Sequence, residues 1–363
     1  MDVTLKKRKK RVNRNSRKGK RKPKKLTRSK NYCSPAALKD QVVSGSCFTD
    51  SAIETITDAY NKNNPNKQID NRLTSKDKWV KLRNSMSRIP KCEQDKCWLQ
   101  NIPLKDRERN MLKAQLFVPP RPSEWKKDPN TWLTNFDIEK VLNQYEEAYP
   151  EFHFIGPSPI NYDTRPNKKD CVCNKLCNLS VKEQLSNGKK KIGVVFNLDP
   201  HHKGGSHWVA MFIDLEDKFV FYFNSTGQRI QPQINKFKNN ILRQCKPLLG
   251  KMKYYSNKYE HQRSNTECGM YCLYFIITSL LREIDILKHQ NHSGGAIEKM
   301  SVQELVKFFT GPRIPDKLVE GYRTELFRGG TQVPPTPPLL SVWKRRWRTI
   351  VKNDGGGERS EPL

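Results

Sequence analysis

Cys268 heads the apolar run CGMYCLYFIITSLL, and Gln262 stands six residues before it. A thiol works as a nucleophile when a base takes its proton, a third group orients that base, and hydrogen-bond donors hold the oxyanion that forms. Seven histidines are available, at 153, 201, 202, 207, 261, 289 and 292, and His207 is singled out because it opens the strand-like run HWVAMFID. In SHWVAMFIDLEDKFVFYFNST, a two-residue connection at Leu215 and Glu216 pairs Asp214 with Asp217 and sets His207 opposite Asn224. Directly opposed residues share a face of the sheet. A four-residue connection moves the register by two and keeps that face. Asp214 lies an odd seven residues from His207 and so points to the other side. Asn224 is therefore the expected orienting partner: its amide oxygen accepts from one ring nitrogen and leaves the other for the thiol.

Ser264, Asn265 and Thr266 are suitable N-cap residues, so Cys268 is expected in the first turn of the following helix. Free amides and the positive dipole end there favour a thiolate, with Glu267 acting mildly against it. Cys272, one turn further into the apolar run, is expected to be buried and inert. Gln262 is placed to aim its side-chain NH2 at the oxyanion beside the Cys268 N–H. Each residue also has an ordinary reading, as strand packing, a loop amide or a small buried hydrophobe. Only their joint arrangement argues for chemistry.

The elements that must hold them are legible in part. A capped helix is expected over 49–61, starting at Thr49 or Asp50. TNFDIEKVLNQYEEAY places Ile138, Val141, Leu142 and Tyr145 at helical spacing behind a Thr134 or Asn135 cap. KIGVVFNL reads as a buried strand, SHWVAMFID and KFVFYFN as a hairpin, INKFKNNILRQCKPLL as an amphipathic helix and MKYYSN as a further strand. The run behind Cys268 is apolar nearly all round, as a helix in the middle of a domain is. Residues 301–328 read as helical, while 62–130 are polar, Lys-rich and interrupted by prolines. The expectation is one α+β domain over about 33–328.

SHW at 206–208, FNS at 223–225 and QRSNTECG at 262–269 resemble, in order and spacing, the cysteine protease clan that includes the SUMO-specific and adenovirus proteases. SCFTDSAIETITDAYN, WLTNFDIEKVLNQYE, FHFIGPSPIN and RIPDKLVEGYRTELFR extend the resemblance to the African swine fever virus and iridovirus type within that clan. Asn at 224, where SUMO proteases carry Asp and the adenovirus enzyme Glu, agrees with that viral branch. The resemblance implies a papain-like core, a mixed sheet flanked by helices with the nucleophile at the N-terminus of a buried helix. It implies a catalytic set of Cys268, His207, Asn224 and Gln262, with Trp208 packing near His and Cys as a binding residue. It further implies a virion maturation protease that cuts viral structural polyproteins after Gly-Gly-X-type sites, located in the virion and, during assembly, in the host cytoplasm or nucleus. The domain organisation it suggests is a helical extension over 31–189 packed on a catalytic core over 190–328. No metal or cofactor is required.

The chain has 363 residues, with 68 Lys and Arg against 37 Asp and Glu, a formal net charge of +31. Residues 1–30 hold 16 of those bases and one acid, Asp2, and are expected to form a disordered tail that contacts DNA nonspecifically by counterion release. Residues 329–363 are a Pro- and Gly-rich basic tail containing WKRRWR. No run reaches the roughly 18 to 20 apolar residues of a membrane span, and the charged start lacks a signal-peptide core, so no membrane is expected. The ten cysteines are therefore read as thiols. The competing readings are a zinc module on Cys171, Cys173 and Cys177 with Cys92 or Cys97, a basic DNA-binding protein with a secondary protease domain, an acyltransferase built on the same triad, and a deSUMOylating or deubiquitinating isopeptidase.

Overall fold

The computed structural model describes residues 32–90, 92, 94–286 and 299–329; the two expected basic tails lie outside the described residues except for Gly329. At its centre is a five-stranded mixed sheet of β1 (Phe152–Pro159), β2 (Lys191–Asn197), β3 (Trp208–Asp214), β4 (Phe219–Phe223) and β5 (Lys253–Ser256). The strands lie in that order. β1 runs parallel to β2, β2 and β3 as well as β3 and β4 are antiparallel, and β4 is parallel to β5. Every residue of β3 and β4 is buried, because helices cover both faces of the sheet.

The helices are α1 (Pro35–Lys39), α2 (Asp50–Asn63), α3 (Ser75–Met86), α4 (Asp95–Asn101), α5 (Asp106–Leu116), α6 (Asn135–Ala148), α7 (Asn174–Cys177), α8 (Val181–Ser186), α9 (Pro232–Leu249), α10 (Cys268–Leu281), α11 (Val302–Thr310), α12 (Asp316–Gly321) and α13 (Arg323–Leu326). Ala210, Phe212, Phe219, Phe221 and Phe223 face α10 and α6. On the opposite face Val209, Met211, Ile213, Val220 and Tyr222 pack with Ile234, Phe237 and Ile241 of α9. All residues of α10 are buried, as its all-round apolar sequence demands. α11 to α13 close its outer side, with Phe275 and Phe309 centroids 4.9 Å apart and Tyr274 stacked on Tyr322 at 5.1 Å. Fully burying one such side chain is worth about 1.5 to 3 kcal/mol, which makes this helix the energetic centre of the domain.

α10 is pinned at its C-terminal end by a buried ion pair. Arg282, in the left-handed conformation of the C-cap, donates to Asp214 at 2.9 Å and Asp217 at 2.7 Å. Asp214 thus points away from His207, as its odd spacing requires.

The caps of α2 and α6 are Thr49 and Thr134, as expected, and Asp137 completes a capping box on α6. Residues 62–130, which carry no clear pattern, contain α3, α4 and α5. Together with α1 and α2 these build a second core around Phe48, Ile53, Leu82, Trp98 and Leu99. The sheet also begins before the expected core boundary at 190. β1 is one of its strands and α6 packs beneath it, so 31–189 is more than an extension.

The reading of all ten cysteines as thiols is corrected. Cys33–Cys47, Cys92–Cys97 and Cys171–Cys177 form disulfides, with Cα separations of 5.0, 5.3 and 6.3 Å inside the span a bridge allows. The thiol reading rested on compartment, which carries no geometry, whereas the fold brings these pairs together. Among the described residues the free thiols are Cys173, Cys245, Cys268 and Cys272. Cys171 and Cys177 are bonded to each other, so the proposed zinc trio does not stand as three thiolates, and no group of metal ligands is found among the described residues. No helix among them is long and apolar enough to cross a membrane.

Candidate active site

The start of β3, the end of β4 and the N-terminus of α10 meet at one end of the sheet. The ladder pairs Asp214 with Phe219 and Ala210 with Phe223, so the hairpin connection has four residues and the register is shifted by two from the shortest alternative. His207 and Asn224 both lie just outside the ladder and still meet: His207 Nε2 is 2.8 Å from Asn224 Oδ1. The same oxygen accepts from the Thr226 N–H at 3.1 Å and the Thr226 hydroxyl at 2.8 Å. A backbone N–H can only donate, so this atom of Asn224 is the oxygen and His207 Nε2 must carry the proton. Nδ1 therefore holds the lone pair. The orienting amide is itself fixed by Asn257, whose Oδ1 accepts from the Asn224 N–H at 2.9 Å and whose Nδ2 donates to the Asn224 carbonyl at 2.7 Å. This side chain continues the β4–β5 pairing past the end of β5.

Cys268 is the first residue of α10 and 1% exposed. Burial pushes its thiol up, the backbone N–H groups of Trp208 and Gly269 pull it back, the neighbouring Glu267 adds to the rise, and its own N–H works against it. The sulfur thus lies against the peptide that follows His207. Burial also draws the His207 imidazole down, opposed by its bond to Asn224. Desolvation thus works against the charge that the helix start favours.

The expected cap is corrected as well. The residue before α10 is Glu267, with no side-chain cap bond, rather than Ser264, Asn265 or Thr266. Its buried carboxylate is gripped by Arg323, whose Nε and Nη2 donate at 2.9 and 3.0 Å. Nothing near Cys268 in sequence signals this partner.

Gln262 is buried beside the site, but its groups are engaged: Oε1 accepts from the Ser225 hydroxyl at 2.6 Å and Nε2 donates to the Ser264 carbonyl at 2.6 Å. One N–H of its amide is thus directed to the backbone of its own loop. Ser225 also binds this segment through its carbonyl, which accepts from the His261 and Gln262 N–H groups. Trp208 is buried and donates Nε1 to the Leu133 carbonyl at 3.1 Å. Leu133 packs on Gly269, so the segment before α6 lies against the first turn of α10. Trp132, next in the chain, is 40% exposed. The structure brings Cys268, His207, Asn224, Gln262 and Trp208 to one end of the sheet. Sequence reasoning missed Thr226, Asn257, Leu133 and Arg323; the Asn-x-Thr turn after β4 was the only local signal among them.

A surface cleft of about 750 Å³ lined by Tyr162, Asp163, Arg165, Lys236 and Arg243 lies against α9 on the other face of the sheet, and no thiol–imidazole pair opens into it.

Residues 163–294 match the family model of the Ulp1 protease family, C-terminal catalytic domain. A protein of Acanthamoeba polyphaga mimivirus described as a thiol protease is 33% identical over 165 residues, covering 44% of this chain and 52% of the relative. The match therefore spans about half of that relative's length. A cysteine protease of African swine fever virus is 26% identical over 205 residues, 54% of this chain and 67% of the viral protein. The crystal structure of the African swine fever virus protease aligns with a TM-score of 0.53 at 19% identity, covering 84% of this chain and 98% of that one. At that identity the likeness is one of fold, and it supports the α+β protease architecture.

Proposed function

We propose that this chain, whose residues 163–294 match the Ulp1 protease family model, is a viral cysteine endopeptidase acting through Cys268, His207, Asn224 and Gln262. The observation that carries the reading is the tautomer lock: Asn224 Oδ1, held by Thr226, commits the His207 proton to Nε2 and leaves Nδ1 as the base. His207 takes the thiol proton as Cys268 Sγ attacks the scissile carbonyl. The tetrahedral anion is held by the Cys268 N–H and, once its bond to Ser264 is given up, by Gln262 Nε2. Collapse expels the amine, which receives its proton from His207, and leaves an acyl-enzyme. Water activated by His207 then releases the acid.

The substrates proposed are viral structural polyproteins cut at Gly-Gly-X-type sites. Buried Trp208 and exposed Trp132 flank Leu133, an apolar setting suited to residues without side chains. On this reading the enzyme works in the virion and, during assembly, in the host cytoplasm or nucleus, with the basic tail as a DNA tether. The test is hydrolysis of Gly-Gly-X peptides by wild type and Cys268→Ala. Wild-type cleavage abolished in the variant supports the reading; equal cleavage by both removes the nucleophile. Some African swine fever virus relatives are described as SUMO-1 cysteine proteases, which favours an isopeptidase as the second reading. A SUMO-linked lysine conjugate cleaved in preference to the linear peptides would establish it.

A further inference from the structure

We propose that Arg323 is a positioning residue for Cys268, holding the turn from which the sulfur projects and balancing the carboxylate beside it. This deepens the thiol-protease reading and rests on it. The geometry is specific. Arg323 is 2% exposed and grips both oxygens of Glu267, the residue before Cys268. Its Nη1 donates to the Thr131 carbonyl at 2.9 Å and its Nη2 to the Thr266 carbonyl at 3.2 Å. Its guanidinium lies 4.5 Å from the Trp125 ring centroid. One planar cation therefore ties the loop entering α10 to the strand of chain that carries Leu133 over Gly269 and Trp208. A lysine at this position presents a single ammonium and cannot reproduce the fork that holds a carboxylate and two carbonyls together.

The electrostatics follow from the same contacts. The ionisable groups at this corner are His207, Glu267, Arg323, Glu320, Tyr271 and Cys272, with Asp316 and Arg313 behind Tyr271. The Arg323 guanidinium sets a positive charge against both oxygens of the Glu267 carboxylate, whose own effect on the thiol is a rise. Removing one partner leaves the other uncompensated next to Cys268, with opposite consequences for the thiolate.

The experiment measures iodoacetamide alkylation of Cys268 against pH in the full chain, read by mass spectrometry of its peptide. Glu267→Gln leaves the Arg323 cation alone and is expected to lower the alkylation midpoint by about 0.5 to 1 pH unit. Arg323→Met leaves the carboxylate and is expected to raise it by a similar amount. The double variant returns it to the wild-type value. A purely structural role would move both single variants the same way, toward an ordinary exposed thiol. Where Arg323→Met loses its near-ultraviolet circular dichroism, Glu267→Gln and the double variant decide: equal midpoints overturn the proposal. Arg323→Lys keeps the midpoint and is expected to lower kcat for Gly-Gly-X peptides about tenfold with KM unchanged. Unchanged kcat there overturns the positioning role. Normal wild-type alkylation without peptide cleavage would instead count against the protease reading and leave the ion-pair test intact.

Discussion

His261 is fully buried and bridges two backbone groups: its Nε2 donates to the Phe309 carbonyl at 2.8 Å and its Nδ1 accepts from the Ile314 N–H at 3.0 Å. A second ring proton would have to sit on Nδ1, against that N–H, and would add a charge inside the core near Arg313. Burial therefore holds the imidazole down to about 4, from an ordinary 6.5, with the Phe309 bond opposing and Arg313 adding to the shift. The unfolded chain takes up this proton at higher pH than the native one. The contribution is fully present above pH 6.5, is lost as pH falls toward 4, and amounts to about 3 kcal/mol across that interval. The perturbation is His261→Gln, whose amide can keep both bonds without titrating. Urea unfolding of wild type and variant between pH 7 and 4 isolates the effect, since the carboxylates are common to both. The wild type should lose stability relative to the variant by up to about 1.4 kcal/mol per pH unit in the middle of the range. Parallel stability profiles would refute the assignment of that proton to His261. The adjacent Gln262 gives the effect a functional side: release of the segment at 309–314 in acid should reduce peptide cleavage before global unfolding.

Asn224→Asp replaces a neutral acceptor by a carboxylate at the same 2.8 Å contact, and the Asn224 Nδ2 that it removes faces the Tyr222 hydroxyl. The His207 midpoint, followed by the imidazole proton resonance, should rise by about 1 to 2 units; an unchanged midpoint would break the orienting role. Gly269→Ala puts a methyl 3.0 Å from Leu133 Cβ, so the Leu133 segment must give way. Peptide cleavage should fall by an order of magnitude while stability changes by no more than about 1 to 2 kcal/mol, the overpacking being offset by the helix preference of Ala. Retained activity would show that this contact does not matter to the site. Cys33→Ser removes a cross-link spanning 14 residues and should destabilise the N-terminal helical core by about 3 kcal/mol, read as earlier thermal loss of its helical signal. An unaltered transition would mean that the bridge contributes nothing to stability.

The face shared by His207 and Asn224 was legible because strand alternation survives a change of hairpin length by two residues. The buried helix behind Cys268 was legible because no other element tolerates fourteen consecutive buried residues in that pattern. β1 was obscured by Gly156, Pro157 and Pro159, which interrupt both alternation and the apolar run; its ladder to β2 shifts register at that point. α3 was hidden because it buries only Trp79, Leu82, Met86 and the Lys78 stem, a stripe too narrow to stand out among lysines. The true residue at the head of α10 was misjudged because Arg323, far along the chain, overrides the local capping preference of Ser264, Asn265 and Thr266. Likewise the engagement of Gln262 by Ser225 and Ser264 depends on how two loops meet, which spacing along one loop cannot report.

The helix that carries Cys268 is closed by α11, α12 and α13, which are translated after it. While a nascent chain has emerged from the ribosome only as far as Leu281, the outer side of that helix has no cover, His261 lacks Phe309 and Ile314, and Glu267 lacks its cation. The sulfur and imidazole are then both synthesised but not yet held in a common frame. The frame around the nucleophile thus waits on α11 to α13, so the order of translation sets when the site can close.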